Sequence, residues 1–242
     1  MGDGLDQNAA DLKKSIITPN AFGVVLDIGA GAAFSNLPHS FLNHLILNGI
    51  SGHGHAAKYL DRQAVSKYIA LEPNALMHKY IRDNANLSGF QESDGTLLIL
   101  ACGAEDIDSL VLSLNNAPVG KTETTIQVDT IISILTLCTV PSPQKTIENL
   151  VNYLLHPGGK FLIFEHVRSR RSDVAWWQTV LSPIWSLFFD GCKLNRPTDI
   201  WISEMKREDE SSIWREASIW SYGDEPEEDN MLYHQLGRFV KN

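Results

Sequence analysis

Acidic residues and glycines follow short apolar segments of this sequence, and their spacing is suited to holding a nucleoside. The segment Val24–Ile28 is apolar except for Asp27, and Gly29, Ala30 and Gly31 come directly after it. Glycine lets the backbone turn sharply and lets a ligand approach it closely. A strand that enters such a turn and then a helix favours a nucleotide-like ligand with an anionic group, although the same turn also occurs as plain α/β architecture. The turn alone leaves both interpretations open.

A second acid stands where a ribose would be bound. Glu72 follows a predicted strand, Tyr68–Leu71. A carboxylate at this strand end accepts hydrogen bonds from ribose hydroxyls in nucleotide-binding α/β proteins. Glu72 lies further from Gly29 than the ~20 residues of a compact dinucleotide unit, and a loop insertion over residues 49–67 explains the excess. A chance surface glutamate is the alternative.

Alternating strand and helix patterns predict one α/β domain over residues 1–242. It has a polar lead at 1–21 and an aromatic helical cap at 168–200. Later strands are predicted at Thr96–Leu100, Val128–Leu137, Phe161–His166 and Tyr233–Val240. Apolar residues at three- and four-residue spacing predict helices at 37–46, 76–87, 107–114 and 146–155. A length of 242 residues and a hydrophobic content of 43% suit a single domain with an adequate core.

Charge and cysteine content exclude several classes of function. The net charge is −9 and the longest basic cluster is Arg168–Arg171, which argues against a nucleic-acid surface and favours a small-molecule substrate. Three cysteines without metal-ligand spacing indicate neither a disulfide framework nor a zinc site, and we expect no metal. His53 and His55 are interpreted as loop histidines. With no signal peptide or transmembrane segment evident, we expect a cytoplasmic protein.

The order of these motifs resembles that of a class I S-adenosylmethionine-dependent methyltransferase. The later sequence is similar to the methyltransferase-like seven family of thiol methyltransferases. The residues that carry this similarity are Phe164–Val167, Trp177, Gln178, Leu181, Pro183, Trp185, Phe189–Cys192, Leu194 and Arg196. The chain departs from that family at Ala33, in the loop at 49–67, and in lacking its hydrophobic N-terminal anchor.

The resemblance implies a Rossmann-like fold, with a mostly parallel seven-stranded sheet, helices on both faces and an antiparallel last strand. It also implies S-adenosylmethionine as the cofactor. Asp27, Gly29, Ala30 and Gly31 would hold its amino acid end. The ribose would lie at Glu72, Pro73 and Asn74, the adenine near Ala104, Glu105 and Asp106, and the sulfonium against Ser133 and Leu135.

His166 ends the predicted fifth strand and is therefore expected on the ligand side of the sheet. An acceptor that arrives protonated needs a proton acceptor, and His166 is the candidate base. A purely structural histidine is the alternative. The aromatic cap contains Trp176, Trp177, Trp185, Phe188 and Phe189. It either roofs an apolar acceptor, which we favour, or packs on the sheet or touches a membrane surface peripherally.

The sequence thus predicts methyl transfer to a small-molecule acceptor through S, N or O, in natural-product or xenobiotic metabolism. A cofactor-binding but non-catalytic partner subunit is the alternative. A nicotinamide oxidoreductase is disfavoured by Ala33 in place of a third glycine and by the distant Glu72. The acceptor atom and the oligomeric state stay open.

Overall fold

The computed structural model describes residues 11–30, 56–116, 127–189, 191–221 and 229–242. The strands are β1 (Gly23–Asp27), β2 (Val65–Leu71), β3 (Leu97–Leu100), β4 (Val128–Ile134), β5 (Leu155–His166), β6 (Trp214–Ser221) and β7 (His234–Lys241). The helices are α1 (His78–Leu87), α2 (Ile107–Asn116), α3 (Pro143–Asn149), α4 (Ser172–Phe188) and α5 (Thr198–Ser203). A π-helical turn, Leu150–Leu154, continues α3. Two 3₁₀ turns, Ala57–Tyr59 and Ala75–Met77, precede β2 and α1 respectively.

Within the described residues, the seven strands form one sheet in the order β3-β2-β1-β4-β5-β7-β6. Neighbours from β3 to β5 pair in parallel, whereas β7 pairs antiparallel with both β5 and β6. Parallel strands need crossover connections, and α1, α2 and α3 lie in the connections from β2 to β3, from β3 to β4 and from β4 to β5. The prediction of a mostly parallel seven-stranded sheet with an antiparallel last strand is confirmed.

Apolar residues fill both faces of the sheet. Along β1, Val25 packs in one core cluster and Leu26 in the other, and Ile132 and Ile131 of β4 divide in the same way. Successive side chains of a strand point to opposite faces, so a strand covered on both sides is apolar throughout. Helices α2 and α3 contribute to one cluster, and α1 contributes to the other. The prediction of helices on both faces is confirmed.

Three predicted boundaries were wrong. Strand β2 begins at Val65, so it takes in the last residues of the loop expected at 49–67. Strand β4 ends at Ile134 and not at Leu137, because Leu135 adopts a positive φ of 53° that breaks the extended backbone. The helix expected from residue 146 begins at Pro143, a residue favoured at the first helical position.

The start of β5 also differs from the prediction. The strand begins at Leu155, and its pairing with β4 shifts between Val128 and Thr130, which oppose Leu155 and Lys160. Residues 156–159, expected to terminate a helix, therefore form an irregular excursion within the strand. Gly158 has a φ of +82°, a conformation that favours glycine.

Near the start of the chain, a helix at residues 11–17 ends in a turn at 18–20, where the sequence predicted that no helix would continue. The helix expected at 37–46, together with Gly31, Ala33, His53 and His55, lies outside the described residues. No helix of the described residues is long and apolar enough to cross a membrane.

Candidate active site

The sheet brings the predicted site residues to one edge. Strands β1, β2, β4 and β5 run in the same direction, so their carboxyl ends lie side by side. Asp27 ends β1, Glu72 follows β2, Leu135 follows β4 and His166 ends β5. In open α/β sheets, ligands bind outside the carboxyl ends of the strands, where the order of strands reverses. The reversal here lies between β1 and β4, beside Asp27.

Asp27 is a buried carboxylate at this edge. The hydroxyl of Tyr68 donates a hydrogen bond of 2.7 Å to its Oδ2, and the Gly29 amide approaches Oδ1 at 3.4 Å. Burial raises the pKa of Asp27 from 3.8 to about 6, although both hydrogen bonds oppose the shift. Much of the raised pKa is thus a desolvation effect, which a bound cation would relieve.

The turn after β1 packs closely against the turn after β4. A Cβ atom placed on Gly29 would lie 1.7 Å from Oγ1 of Thr136. Only a residue without a side chain fits there, because 1.7 Å is far below any van der Waals contact. The Ala30 amide donates to the Leu71 carbonyl at 3.3 Å and joins the turn to β2.

Glu72 is 4% exposed and accepts a hydrogen bond of 2.7 Å from the Asn74 amide through Oε1. The Asn74 side chain in turn accepts from the Leu76 amide at 3.1 Å and caps the 3₁₀ turn that precedes α1. Pro73 lies between them and is exposed. A surface glutamate would be neither buried nor held in this way. This finding weakens the interpretation of Glu72 as a chance surface residue.

The three residues expected near the adenine differ in exposure and in their contacts. Ala104 is buried in the core, and Glu105 is exposed. Asp106 precedes α2, and its Oδ1 accepts a hydrogen bond of 3.2 Å from the Ser109 amide, the geometry of a helix N-cap. Asp106 therefore has a local structural task whether or not a ligand is bound.

A buried glutamate that sequence reasoning missed organises the turn after β4. Oε1 of Glu165 accepts hydrogen bonds from the Ser133 hydroxyl at 2.6 Å, the Thr136 amide at 3.0 Å and the Leu137 amide at 3.2 Å. Burial raises its pKa to about 7, with these three donors opposing the rise. The Ser133 hydroxyl is thus already engaged, whereas Leu135 lies on the turn that Glu165 holds.

The side chains of Cys138, His166 and Cys192 come together from three separate segments of the chain. Nδ1 of His166 lies 3.7 Å from Sγ of Cys192, and Cys138 offers its sulfur to the same small region. The Cys138 thiol is the largest influence that lowers the pKa of Cys192, and His166 lowers it further. The pKa of Cys138 is raised, by this hydrogen bond and by burial. Cysteine spacing alone had indicated no such cluster.

Comparisons with known proteins bear on the type of domain and on the fold. Residues 49–163 match the family model of a methyltransferase domain. The chain superposes on the N-methyltransferase NodS from Bradyrhizobium japonicum with a TM-score of 0.55 at 11% identity, covering 100% of this chain and 99% of that one. Residues 49–163 are just under half of the chain, and the superposition shows that the chain has the fold of such methyltransferases. The plantazolicin methyltransferase BpumL, solved with S-adenosylhomocysteine, superposes with a TM-score of 0.53 at 12% identity, over 98% of this chain and 84% of that one.

Two curated relatives resemble a shorter part of the chain at higher identity. Thiol S-methyltransferase TMT1A from Homo sapiens is 40% identical over 70 residues, which are 28% of each chain. Thiol S-methyltransferase TMT1B from Rattus norvegicus is 41% identical over 71 residues, which are 29% of each chain. The match therefore spans well under a third of the length of either relative.

S-adenosylmethionine, the cofactor that the methyltransferase domain and the fold neighbours indicate, suits the residues at the strand ends. It carries a cationic sulfonium, an amino acid group and a ribose. Asp27 and Glu72 provide two buried carboxylates on neighbouring strands, and Gly29 keeps the turn between them free of a side chain. Carboxylates attract a cationic ligand and accept hydrogen bonds from ribose hydroxyls, so both groups fit this cofactor.

The aromatic cap consists mainly of α4. Its buried side includes two polar residues, Gln178 and Ser182. Its exposed large side chains are Trp176, Trp177, Val180, Leu181, Ile184, Leu187 and Phe188. Trp185 stacks on Phe189 with ring centroids 3.8 Å apart. An exposed apolar face of this size is typical of a binding surface, and its occupant stays a prediction.

Proposed function

We propose that this chain transfers the methyl group of S-adenosylmethionine to the sulfur of a small thiol. The observation that carries the proposal is the 40% identity over 70 residues to a thiol S-methyltransferase. The site supports it, because buried carboxylates stand at the cofactor edge and an imidazole with two thiols stands beside them. The metabolic setting in natural-product or xenobiotic metabolism, and a cytoplasmic location, remain predictions from the sequence.

We assign the cofactor's amino acid end to Asp27, Gly29, Ala30 and Gly31. Its ribose is assigned to Glu72 with Pro73 and Asn74, and its adenine to the segment from Ala104 to Asp106. A sulfonium supplies an already activated methyl group. The protein's part is to hold the acceptor sulfur in line with that carbon, which can contribute roughly 7 to 11 kcal/mol through positioning. Leu135 would line the reacting atoms, with Ser133 behind it.

His166 is the proposed catalytic residue on the acceptor side. It is 3% exposed at the end of β5, next to the turn that follows β4. Within the described part of the chain, its Nε2 has no hydrogen-bond partner. A small thiol with a pKa near 8.5 needs only modest help to lose its proton, whereas an amine or phenol needs more.

The proposal is tested by incubating the chain with methyl-labelled cofactor and a panel of small thiols, amines and phenols. We expect label on thiols, and micromolar cofactor binding by calorimetry without NAD binding. Label confined to amines or phenols would overturn the assignment of the acceptor. Cofactor binding without transfer to any acceptor would instead support a non-catalytic partner subunit.

A substitution tests the role of His166. We expect His166→Gln to lower turnover by roughly 10² while leaving cofactor affinity unchanged, because the imidazole serves the acceptor and not the nucleoside. His156→Gln, at an exposed position in β5, is the matched control and should retain full turnover. Unchanged turnover in a folded His166→Gln protein would remove His166 from the mechanism.

A further inference from the structure

The cluster of Cys138, His166 and Cys192 has the composition of a metal site. One potential ligand atom from each residue lies within 4.8 Å of those from the other two. Cys138 and His166 are each 3% exposed, and Cys192 is partly buried. Cysteine sulfur and imidazole nitrogen are ligands that zinc prefers, whereas magnesium and calcium prefer oxygen.

The spacing agrees with tetrahedral coordination. Zinc lies about 2.3 Å from sulfur and about 2.0 to 2.1 Å from imidazole nitrogen, so neighbouring tetrahedral ligands are roughly 3.5 to 3.8 Å apart. The observed separation of Cys192 Sγ and His166 Nδ1 is 3.7 Å. Closing the whole cluster around an ion therefore needs only small movements of side chains.

Buried polar side chains hold the two cysteine-bearing segments in place. Cys138 belongs to the turn that Glu165 fixes through the Thr136 and Leu137 amides. Arg196 follows Cys192 in the chain, and its Nη1 donates to the carbonyls of Leu137 and Val140, both at 2.7 Å. The buried guanidinium thus joins the two cysteine-bearing segments and provides positive charge beside the two sulfurs.

The cluster also lies next to the cofactor edge. Thr136, two residues before Cys138, is the residue that a side chain on Gly29 would strike. The Cys138 thiol points back along the same turn and donates to the Leu135 carbonyl at 3.6 Å. A ligand bound at the cluster is therefore adjacent to the turn assigned to the sulfonium.

We propose that Cys138, His166 and Cys192 bind a zinc ion whose fourth position takes the acceptor sulfur. Three protein ligands with one open position is the composition of catalytic zinc sites. In this arrangement His166 acts as a ligand and not as a base, because a thiol that coordinates zinc gives up its proton to solvent and binds as the thiolate. That sulfur then forms a bond to the methyl carbon while the bond from this carbon to the sulfonium breaks. The products are two neutral thioethers, the methylated acceptor and the demethylated cofactor. The acceptor part of this inference rests on the proposed function, whereas the metal site does not.

The test uses the full chain expressed in zinc-supplemented and in cobalt-supplemented medium. We expect about one metal ion per chain by elemental analysis, and sulfur-to-cobalt charge-transfer absorption in the cobalt protein. Cys138→Ser and Cys192→Ser should each weaken metal binding by more than the roughly 10–100-fold that loss of a supporting group costs. Cys102→Ser removes the remaining cysteine and should retain the metal and its spectrum.

Folding is checked separately. Cofactor calorimetry identifies folded variants, and Cys192→His, which replaces one zinc ligand by another, should bind metal with a weaker charge-transfer band. A metal-free wild-type chain with three reactive thiols would overturn the site, and so would a Cys138–Cys192 disulfide seen as a loss of two hydrogens by mass.

The acceptor role has its own readout. Addition of a small thiol to the cobalt protein should strengthen the charge-transfer band before any methyl transfer occurs. Thiol methylation that persists in a metal-free chain would overturn the zinc site and leave the proposed function standing. A bound metal with no thiol methylation would retain the site and overturn the proposed acceptor.

Discussion

The buried carboxyl of Asp27 should make the stability of the chain fall as the pH rises from about 4 to above 6. Its pKa is raised by burial from 3.8 to about 6 in the folded chain. Between these two values the folded chain holds the proton and the unfolded chain releases it. The stabilisation is therefore fully present below pH 3.8 and is lost as the pH rises through about 6.

The magnitude follows from the size of the shift. Each pKa unit corresponds to about 1.36 kcal/mol, so a shift from 3.8 to about 6 is worth roughly 3 kcal/mol of unfolding free energy. Asp27→Asn removes the charge and keeps an oxygen that can accept the hydrogen bond from Tyr68. The unfolding free energy of the variant, relative to wild type, should thus increase by roughly 2 to 2.5 kcal/mol between pH 4 and pH 7, because the unfolded carboxyl is already partly ionised at pH 4.

Urea unfolding, followed by tryptophan fluorescence at several pH values, measures this difference. Asp106→Asn is the matched control, because hydrogen bonds with Ser109 lower the pKa of that exposed carboxylate. Its stabilisation is present above the unfolded pKa and is lost as the pH falls, which is the opposite dependence. If the wild-type and Asp27→Asn stabilities ran parallel across the pH range, burial of an ionisable Asp27 would be refuted.

Three further substitutions test other parts of the structure. Gly29→Ala should lower the unfolding free energy by roughly 1 to 3 kcal/mol through overpacking. Gly103→Ala is the control, because its new methyl group meets only the flexible carboxylate of Glu105 and should change the unfolding free energy little. Thermal unfolding measures both. Glu72→Ala should weaken cofactor binding by roughly 1.5 to 3 kcal/mol in calorimetry, and unchanged affinity would contradict its ribose role. Gln178→Leu should destabilise the chain by roughly 1 to 3 kcal/mol, because it removes the buried amide that donates to the carbonyls of Val167 and Met231. Equal urea midpoints for wild type and variant would contradict this.

The positions of Asp27 and Glu72 at the ends of strands could be predicted because the signals are local. A β-branched segment, an acid and a glycine turn lie within ten residues, and a parallel sheet then places all such strand ends at one edge. The burial of Asp27 and Glu72 agrees with that logic. The predicted strand ends were less accurate. Strand β4 ends before Leu135, whose positive φ lies in the turn that Glu165 holds by hydrogen bonds, and this contact is distant in sequence.

The acceptor side could not be predicted in the same way. Cys138, His166 and Cys192 belong to three segments that meet only when β4 and β5 pair and the chain returns after α4. The spacing of these residues in the sequence does not predict that they lie close together. The role of Glu165 could not be predicted for a related reason. An acid at the end of an apolar strand suggests a ligand site, whereas Glu165 accepts hydrogen bonds from backbone amides of a neighbouring turn.

The position of β7 has a consequence for biosynthesis. It is the last strand in the chain order, yet it lies inside the sheet and bridges β5 to β6. Until residues 234–241 leave the ribosome, the growing chain presents the open backbone edge of β5, whose side chains are largely apolar. Lys241 then anchors the strand by donating to the carbonyls of Val151 and Leu155, at 2.6 and 2.8 Å. A nascent chain stalled before this point would therefore depend on chaperones that shield exposed strand edges from intermolecular pairing.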